Sequence, residues 1–377
     1  MKTANAASVG FYKKFIYCLF AFVGFPFLTV ISSLAFIDVN KADNATEVQI
    51  LSTIINVSYI IFPVIIVLST LIWHFRDKRR TDDSNDNKVI IYYCIALCRY
   101  LLAAIIMFYG FSKLMVDQLS MSYYWYGDEL GKLSGLQLTW SFFGYSKIYS
   151  SIIAIAQILA GSLLMFRRTT LLGALFLLPI LVNITLIDYN YDIPAKDIIT
   201  VLLLMTIFII SLSLKPLLSF FIGHKTVDGS TIVSNYATNA KKPKLLKPLL
   251  VIGMLLFAFL TNFNQMKTDN NSPFEGAWEA TSVKNYSDSI PEKNEKLTLR
   301  LFVSGNTATV KKTYQYEDFS LSYDSPKKNF ISLQKASDSL HLKDISGSYK
   351  LIGNDKLLFT GKDGQDSIRW ILKKTSK

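Results

Sequence analysis

Seven long apolar runs dominate the first 264 residues and limit what this chain can fold into. They cover residues 15–37, 50–73, 89–111, 148–166, 169–187, 198–214 and 249–263. About 20 apolar residues suffice for a helix to cross the hydrocarbon core of a bilayer. Charged residues make up only 18% of the chain, well below the usual quarter for soluble domains. The sequence therefore predicts a polytopic α-helical membrane protein with about seven transmembrane helices, in direct contact with the lipid bilayer.

The Lys and Arg residues are distributed unevenly between the two sides of this predicted topology. Sixteen lie in the N-terminus and in the connections after the second, fourth and sixth runs, against five in the other connections before residue 264. Cytoplasmic loops carry such an excess of positive charge. We expect a bacterial inner-membrane protein with its N-terminus in the cytoplasm and its C-terminal domain in the periplasm. Topology also accounts for the net charge of +12, so nucleic acid is not an expected partner.

Three motifs occur together between residues 89 and 215. Arg99 lies in one apolar run and is followed by GFSK, which ends at Lys113. The segment LLMFRRTTLLGAL covers 163–175, and YDIPAK covers 191–196. As a set, these motifs resemble the DoxX-like family of bacterial membrane proteins over a little more than a third of the chain.

The resemblance implies a central four-helix membrane bundle close to quinone chemistry. The family takes its name from a small subunit associated with a terminal quinol oxidase and a thiosulfate:quinone oxidoreductase. It therefore suggests a quinone as the cofactor and a membrane oxidoreductase complex as a partner. It implies no particular reaction, so the catalytic residues stay unassigned and the sequence leaves open whether the chain is an enzyme.

Polar residues within the apolar runs are the candidates for a ligand site. Arg99 lies near the middle of its run, where a charge costs about 2.5–3.5 kcal/mol on insertion scales, and Gln157 lies at a matching depth. The candidate ligand-binding residues are Arg99, Lys113, Gln157, Asn183, Asp188, Asp192 and Lys196. They could line a polar pocket that opens toward the periplasm. In the alternative interpretation, Arg99 and Gln157 only tie helices together by hydrogen bonding.

Two further features bear on this pocket. DoxX-like relatives commonly carry Glu where this chain has Gln157, in the segment AQILAG. Gln can accept a hydrogen bond but cannot carry a proton, so any such role of the family's Glu would be lost here. The aromatic stretch 117–147, predicted to be an outer loop, could cover the pocket as a lid.

The last hundred residues have the alternation of period two that is typical of β-strands, as in LTLRLFV and SIRWIL. We expect a small antiparallel β-barrel or sandwich. The G-x-W motif of Gly276 and Trp278, with Arg369 late in the domain, resembles the lipocalin superfamily. That resemblance implies that Arg369 packs over Trp278, and that the barrel could hold a lipophilic small molecule.

These patterns divide the chain into four segments. They are an N-terminal helix pair with a cytoplasmic loop at 1–88, the DoxX-like bundle at 89–215, a basic segment with the seventh span at 216–264, and the periplasmic β-rich domain at 265–377. No metal site is expected. Two functions follow from this organisation: an accessory of quinone-linked redox chemistry, or a membrane-anchored binding or scaffold protein that presents its β-domain to a lipophilic ligand or a partner.

Overall fold

The computed structural model divides the chain into two compact units, formed by residues 1–120 with 134–266 and by 121–133 with 267–377. The described residues are 9–29, 45–79, 84–115, 130–226, 253, 256, 259–260, 276–285, 299–304, 307–312, 315–323, 330–335, 345–353, 355–363 and 366–375. Most of the first unit is helical and the second contains the β-domain.

Eight α-helices of the first unit have bounds within the described residues. They are α1 (Phe11–Phe22), α2 (Ala45–Arg79), α3 (Ser84–Met115), α4 (Gly135–Tyr145), α5 (Lys147–Met165), α6 (Thr170–Asn190), α7 (Lys196–Ser211) and α8 (Leu214–Phe221). Ser134 caps α4 in a reciprocal capping box with Gln137. The prediction of a loop across 117–147 is therefore wrong for residues 135–145, because the aromatic TWSFFGY stretch forms a short capped helix.

Several of these helices are long and apolar enough to cross a membrane. Five such stretches are Phe11–Thr29, Ser52–Arg79, Asn87–Met115, Lys147–Met165 and Thr170–Asn190, and α7 with α8 forms a sixth that is bent by 70°. These six overlap the first six predicted spans. The seventh, at 249–263, lies almost entirely outside the described residues, so the total of seven stays a prediction.

Helices α3, α5, α6 and α7 pack around one apolar core. Helix α5 lies close against α3 at Gly161, where an added Cβ would lie 2.6 Å from the Met107 side chain and 3.2 Å from the Ala103 carbonyl oxygen. Small residues allow such contacts between membrane helices, where van der Waals packing replaces the hydrophobic effect as the driving force. This packing fixes the side chains of α3 relative to those of α5.

A polar network joins the N-terminal end of α3 to α1 and α2. Lys14, only 1% exposed, forms an ion pair with Asp77. The Asn87 amide donates to Asp77 at 2.7 Å and accepts from the Trp73 indole at 2.7 Å. Within this network, the buried Lys14 charge therefore has a charged partner, as burial in an apolar surrounding requires. Cys18 on α1 and Cys94 on α3 carry free thiols that lie near each other where the two helices pack.

The β-domain is a closed antiparallel barrel of eight strands in sequence order. The strands are β1 (Gly276–Asn285), β2 (Leu299–Ser304), β3 (Thr307–Lys312), β4 (Gln315–Tyr323), β5 (Phe330–Lys335), β6 (Ile345–Ile352), β7 (Lys356–Asp363) and β8 (Asp366–Lys374). β8 pairs back with β1 and closes the sheet. The alternative of a sandwich is thereby excluded.

Trp278 belongs to the barrel core, but the contact predicted from the lipocalin resemblance is not made. On β8, Ile368 and Trp370 are buried and Arg369 between them is exposed. The cation over the Trp278 ring is Lys374, 5.5 Å from the ring centroid. The prediction that Arg369 packs over Trp278 is wrong because side chains alternate along a strand.

Strands β6 and β7 pass each other most closely at a pair of glycines. Gly347 lies opposite Gly361 in the register. A Cβ on Gly361 would lie 2.2 Å from the Ser346 carbonyl oxygen, and one on Gly347 would lie 2.4 Å from the Gly361 Cα. Neither distance leaves room for a methyl group, so both positions require glycine.

We expect Gly361→Ala to loosen this strand pair, because overpacking against backbone atoms costs about 1–3 kcal/mol. The measurement is hydrogen exchange by mass spectrometry on the full chain, in which the amides of β6 and β7 should exchange faster than in the wild type. Lys350→Ala, which changes an exposed side chain on β6, is the control and should exchange normally. Unchanged exchange in Gly361→Ala would contradict the close approach.

The packing of α1 on α3 predicts which cysteines can be cross-linked, since a disulfide requires adjacent Cβ atoms. Oxidation of the purified full chain should join Cys18 to Cys94, as detected by mass spectrometry of a non-reduced digest. Cys94→Ser should abolish the cross-linked peptide. Cys98→Ser should preserve it, although Cys98 is only one helical turn further along α3. A link from Cys18 to Cys98 instead would show a different register of the two helices.

Candidate functional site

A cavity of about 280 Å³ lies among α3, α4, α5, α6 and α7. Small-molecule sites usually occupy about 300–1,000 Å³, so this volume suits one ring system more than a drug-sized molecule. Isoleucines from α3, α5, α6 and α7 form most of its wall. The cavity is therefore mainly apolar, with a few polar groups that could orient a ligand.

Four aromatic side chains from α3, α4 and α5 line the cavity. They are Tyr109 on α3, Trp140 and Phe143 on α4, and Tyr149 on α5. Phe143 stacks on Tyr149 with their ring centroids 6.0 Å apart and their planes 8° from parallel. Flat rings of this kind can pack against a planar ligand. The stretch 117–147 was expected to contribute a lid over the pocket. Within the described part of this stretch, α4 lines the cavity. The SYYWYG run at 122–127 lies outside the described residues.

The polar end of the cavity holds two opposite charges. Lys113 on α3 and Asp188 on α6 both line it and attract each other electrostatically. The Lys113 ammonium lies 5.5 Å from the centroid of the Tyr109 ring and donates to the Tyr109 carbonyl oxygen at 3.5 Å. No ion pair within 4.0 Å joins Lys113 to Asp188. A ligand with both donor and acceptor character could bridge them.

Two amides complete the polar lining. Gln157 on α5 is 2% exposed, and its Oε1 is buried with no hydrogen-bond partner among the described residues. A buried acceptor without a donor costs about 1–3 kcal/mol, so Oε1 is a place where a ligand hydroxyl would be favourable. Asn183 on α6 also lines the cavity.

The remaining predicted residues of the outer turn lie beside the cavity and do not line it. Lys196 hydrogen-bonds to Asp192 across one helical turn. The Asp192 side chain is 91% exposed, and the hydrogen bond from the Lys196 ammonium lowers the pKa of its carboxyl below the usual range. The pair joins α6 to α7 at their connecting turn.

Arg99 lies away from the cavity, contrary to the expectation of a shared pocket. Its Nη1 donates to the Thr170 hydroxyl at 3.3 Å, and Thr170 is the first residue of α6. The guanidinium is therefore at the level of the N-terminal end of α6, although Arg99 itself is near the middle of α3. The expected Arg99–Gln157 hydrogen bond is not made, because the Gln157 Oε1 has no partner in the described structure.

The sequence analysis predicted four of the residues that line the cavity, but it named none of the individual aromatic residues. Lys113, Gln157, Asn183 and Asp188 were expected and all line the cavity. A usable signal for Tyr109 was its position four residues before Lys113, on the same helix face. For Trp140 the signal was the S-x-x-Q capping box that starts α4.

The arrangement can hold a flat, mostly apolar ring with oxygens at one end. Lys113 and the Gln157 amide nitrogen can donate hydrogen bonds, and Asp188 and Gln157 Oε1 can accept them. Among the described residues, no group of three or more His, Cys, Asp or Glu side chains could hold a metal ion.

Comparison with known proteins found a bacterial relative. No family model matches the chain, and no solved structure does. The uncharacterized protein YwoB of Bacillus subtilis (strain 168) is 35% identical over 131 residues, which are 33% of this chain and 80% of YwoB. Identity at this level over most of the relative's length shows common descent, and this chain belongs to the family of YwoB.

Proposed function

We propose that this chain binds the ring of a lipophilic quinone in the cavity among α3–α7 and serves quinone-linked redox chemistry as an accessory or subunit. The observation that carries the proposal is a mainly apolar, aromatic-walled cavity with Lys113, Gln157 and Asp188 at one end. The DoxX-like motifs support the same chemistry. A quinone reaches such a site through the bilayer, in which its tail is soluble.

The polar groups of the cavity suit both redox states of a quinone. A quinone presents carbonyl oxygens, which accept hydrogen bonds from the Lys113 ammonium or the Gln157 amide nitrogen. A quinol presents hydroxyls, which donate to the Asp188 carboxylate or to the unpaired Gln157 Oε1. Because Gln157 cannot carry a proton, protons released or taken up on the redox step would pass through Lys113 and Asp188.

The proposal includes the full topology of seven spans in a bacterial inner membrane. The N-terminus is cytoplasmic, and the β-domain and the polar end of the cavity face the periplasm.

A second function is favoured by the β-domain. Its eight strands close into a barrel, the size that can hold one small ligand or be filled by its own side chains. The buried Trp370 Nε1 has no acceptor among the described residues, and a ligand oxygen would supply one. In this alternative, the helices anchor a lipocalin-like domain that binds a lipophile or a partner. Purified protein whose bound lipophile is lost on Trp370→Phe and kept on Lys113→Met would favour it.

The topology predicts which side of the membrane each exposed residue faces. After the three native cysteines are replaced by serine, Ser367→Cys on β8 should react with an impermeant maleimide in cells with a permeabilised outer layer. Lys225→Cys, just after α8, should react only after lysis of the inner membrane. Both positions are exposed, so differences in labelling report sidedness. The reverse pattern would contradict the proposed orientation.

Removal of the cavity ammonium should weaken quinone binding. A charge-assisted hydrogen bond is worth about 1.5–3 kcal/mol, so Lys113→Met should raise the dissociation constant about ten- to hundredfold. The measurement is a titration of the purified full chain with a short-tailed quinone, followed by quenching of tryptophan fluorescence. The matched control is Lys196→Met, which removes a lysine paired with Asp192 outside the cavity. Equal affinities of the two variants, or no binding by the wild type, would overturn the proposal.

A further inference from the structure

Arg99 is a buried guanidinium without a carboxylate. It is 5% exposed, and among the described residues no Asp or Glu lies within ion-pair distance of it. The cost of burying an unpaired charge is several kcal/mol even after relaxation. Its surroundings supply a hydroxyl from Thr170 and the face of Tyr100, whose centroid is 4.9 Å away. Neither neutralises the charge.

The unused part of the guanidinium has a defined shape. Nη1 donates to Thr170, while Nε is buried and has no acceptor in the described structure. The edge formed by Nε and Nη2 carries two parallel N–H groups, the geometry that binds two oxygens of a carboxylate or phosphate. An oxyanion on this edge would satisfy the orphaned donor and neutralise the charge at once.

A second guanidinium lies along the same face of α3. Arg167, in the turn between α5 and α6, lies over the Tyr92 ring at 5.0 Å from its centroid. Tyr92 and Arg99 are seven residues apart, close to two helical turns, so they share one face of the helix. The exposed Arg168 is in the same turn. Three cations therefore gather where two spans meet the membrane surface.

We propose that Arg99 and Arg167 form a binding site for a phosphate-bearing anion, supplied by the headgroup of an anionic phospholipid. The turn at 166–169 connects two spans and so lies at headgroup depth, whichever face of the membrane it occupies. Basic pockets between membrane helices at this depth bind anionic headgroups. The site is independent of the quinone cavity, since none of its residues lines that cavity.

The test measures lipid binding by the full chain, purified in mild detergent, with native mass spectrometry and thermal unfolding. Phosphatidylglycerol should bind and raise the unfolding temperature, and zwitterionic phosphatidylcholine should not. Arg99→Gln and Arg167→Gln should each weaken phosphatidylglycerol binding about tenfold or more, as expected for a lost charge-assisted hydrogen bond. Arg79→Gln, which removes an exposed arginine at the end of α2, is the control and should leave binding unchanged.

The design separates the proposal from misfolding and from other anions. If Arg99→Gln fails to fold, Arg167→Gln and the charge-conserving Arg99→Lys still report on the site. In a separate experiment, inorganic phosphate is added to lipid-stripped protein. If phosphate but not phosphatidylglycerol raises the unfolding temperature, and the arginine variants lose this effect, the site binds a soluble phosphate. Equal phosphatidylglycerol binding by the wild type, Arg167→Gln and Arg79→Gln would overturn the site.

Discussion

The need to satisfy polar groups inside apolar helices governs the helical unit of this protein. Lys14 meets it completely, because Asp77, Asn87 and Trp73 form a closed network around the buried charge. Such a network holds α1, α2 and α3 in one arrangement and leaves nothing to bind. The Gln157 amide and the Arg99 guanidinium meet the requirement only in part. Membrane helices retain incompletely satisfied polar groups at a cost, and this contrast identifies two places among the described residues where a ligand would stabilise the protein.

Helix α3 contributes Lys113 to the cavity of Gln157 and carries Arg99 at the second place, so it keeps the two apart. Arg99 and Lys113 are fourteen residues apart, which corresponds to about 21 Å along a helix. The C-terminal end of α3 therefore lines the aromatic cavity, and the middle of α3 lies beside the turn between α5 and α6. The same spacing places both residues on one helix face, which from sequence suggested a single shared pocket. Two residues can share a helix face and still lie at different depths in the membrane, where their side chains cannot meet.

The sequence predictions that depend on local patterns were more accurate than those that depend on contacts between distant residues. Long apolar runs and period-two alternation depend on local burial, and they identified six apolar helical stretches and several of the barrel strands. The expected pocket shared by Arg99 and Gln157 is not formed, because the guanidinium donates to Thr170 on another helix. Helix α4 was missed since eleven residues are too few for a span. The position of Arg369 could have been predicted, because SIRWIL puts Ile368, Trp370 and Leu372 on one face and the arginine on the other.

The amide of Gln157 determines what the cavity can bind, as a comparison with a carboxylate at the same position shows. An ionised Glu beside Lys113 would compete with Asp188 for the ammonium, whereas the neutral amide leaves that charge to Asp188 and to a ligand. The amide also offers a donor and an acceptor at one point, so it can follow a ligand whose oxygens change from acceptors to donors. In the proposed quinone site, recognition of both redox states would then rest on Gln157, and the exchange of protons would rest on Asp188 near the exposed end of α6.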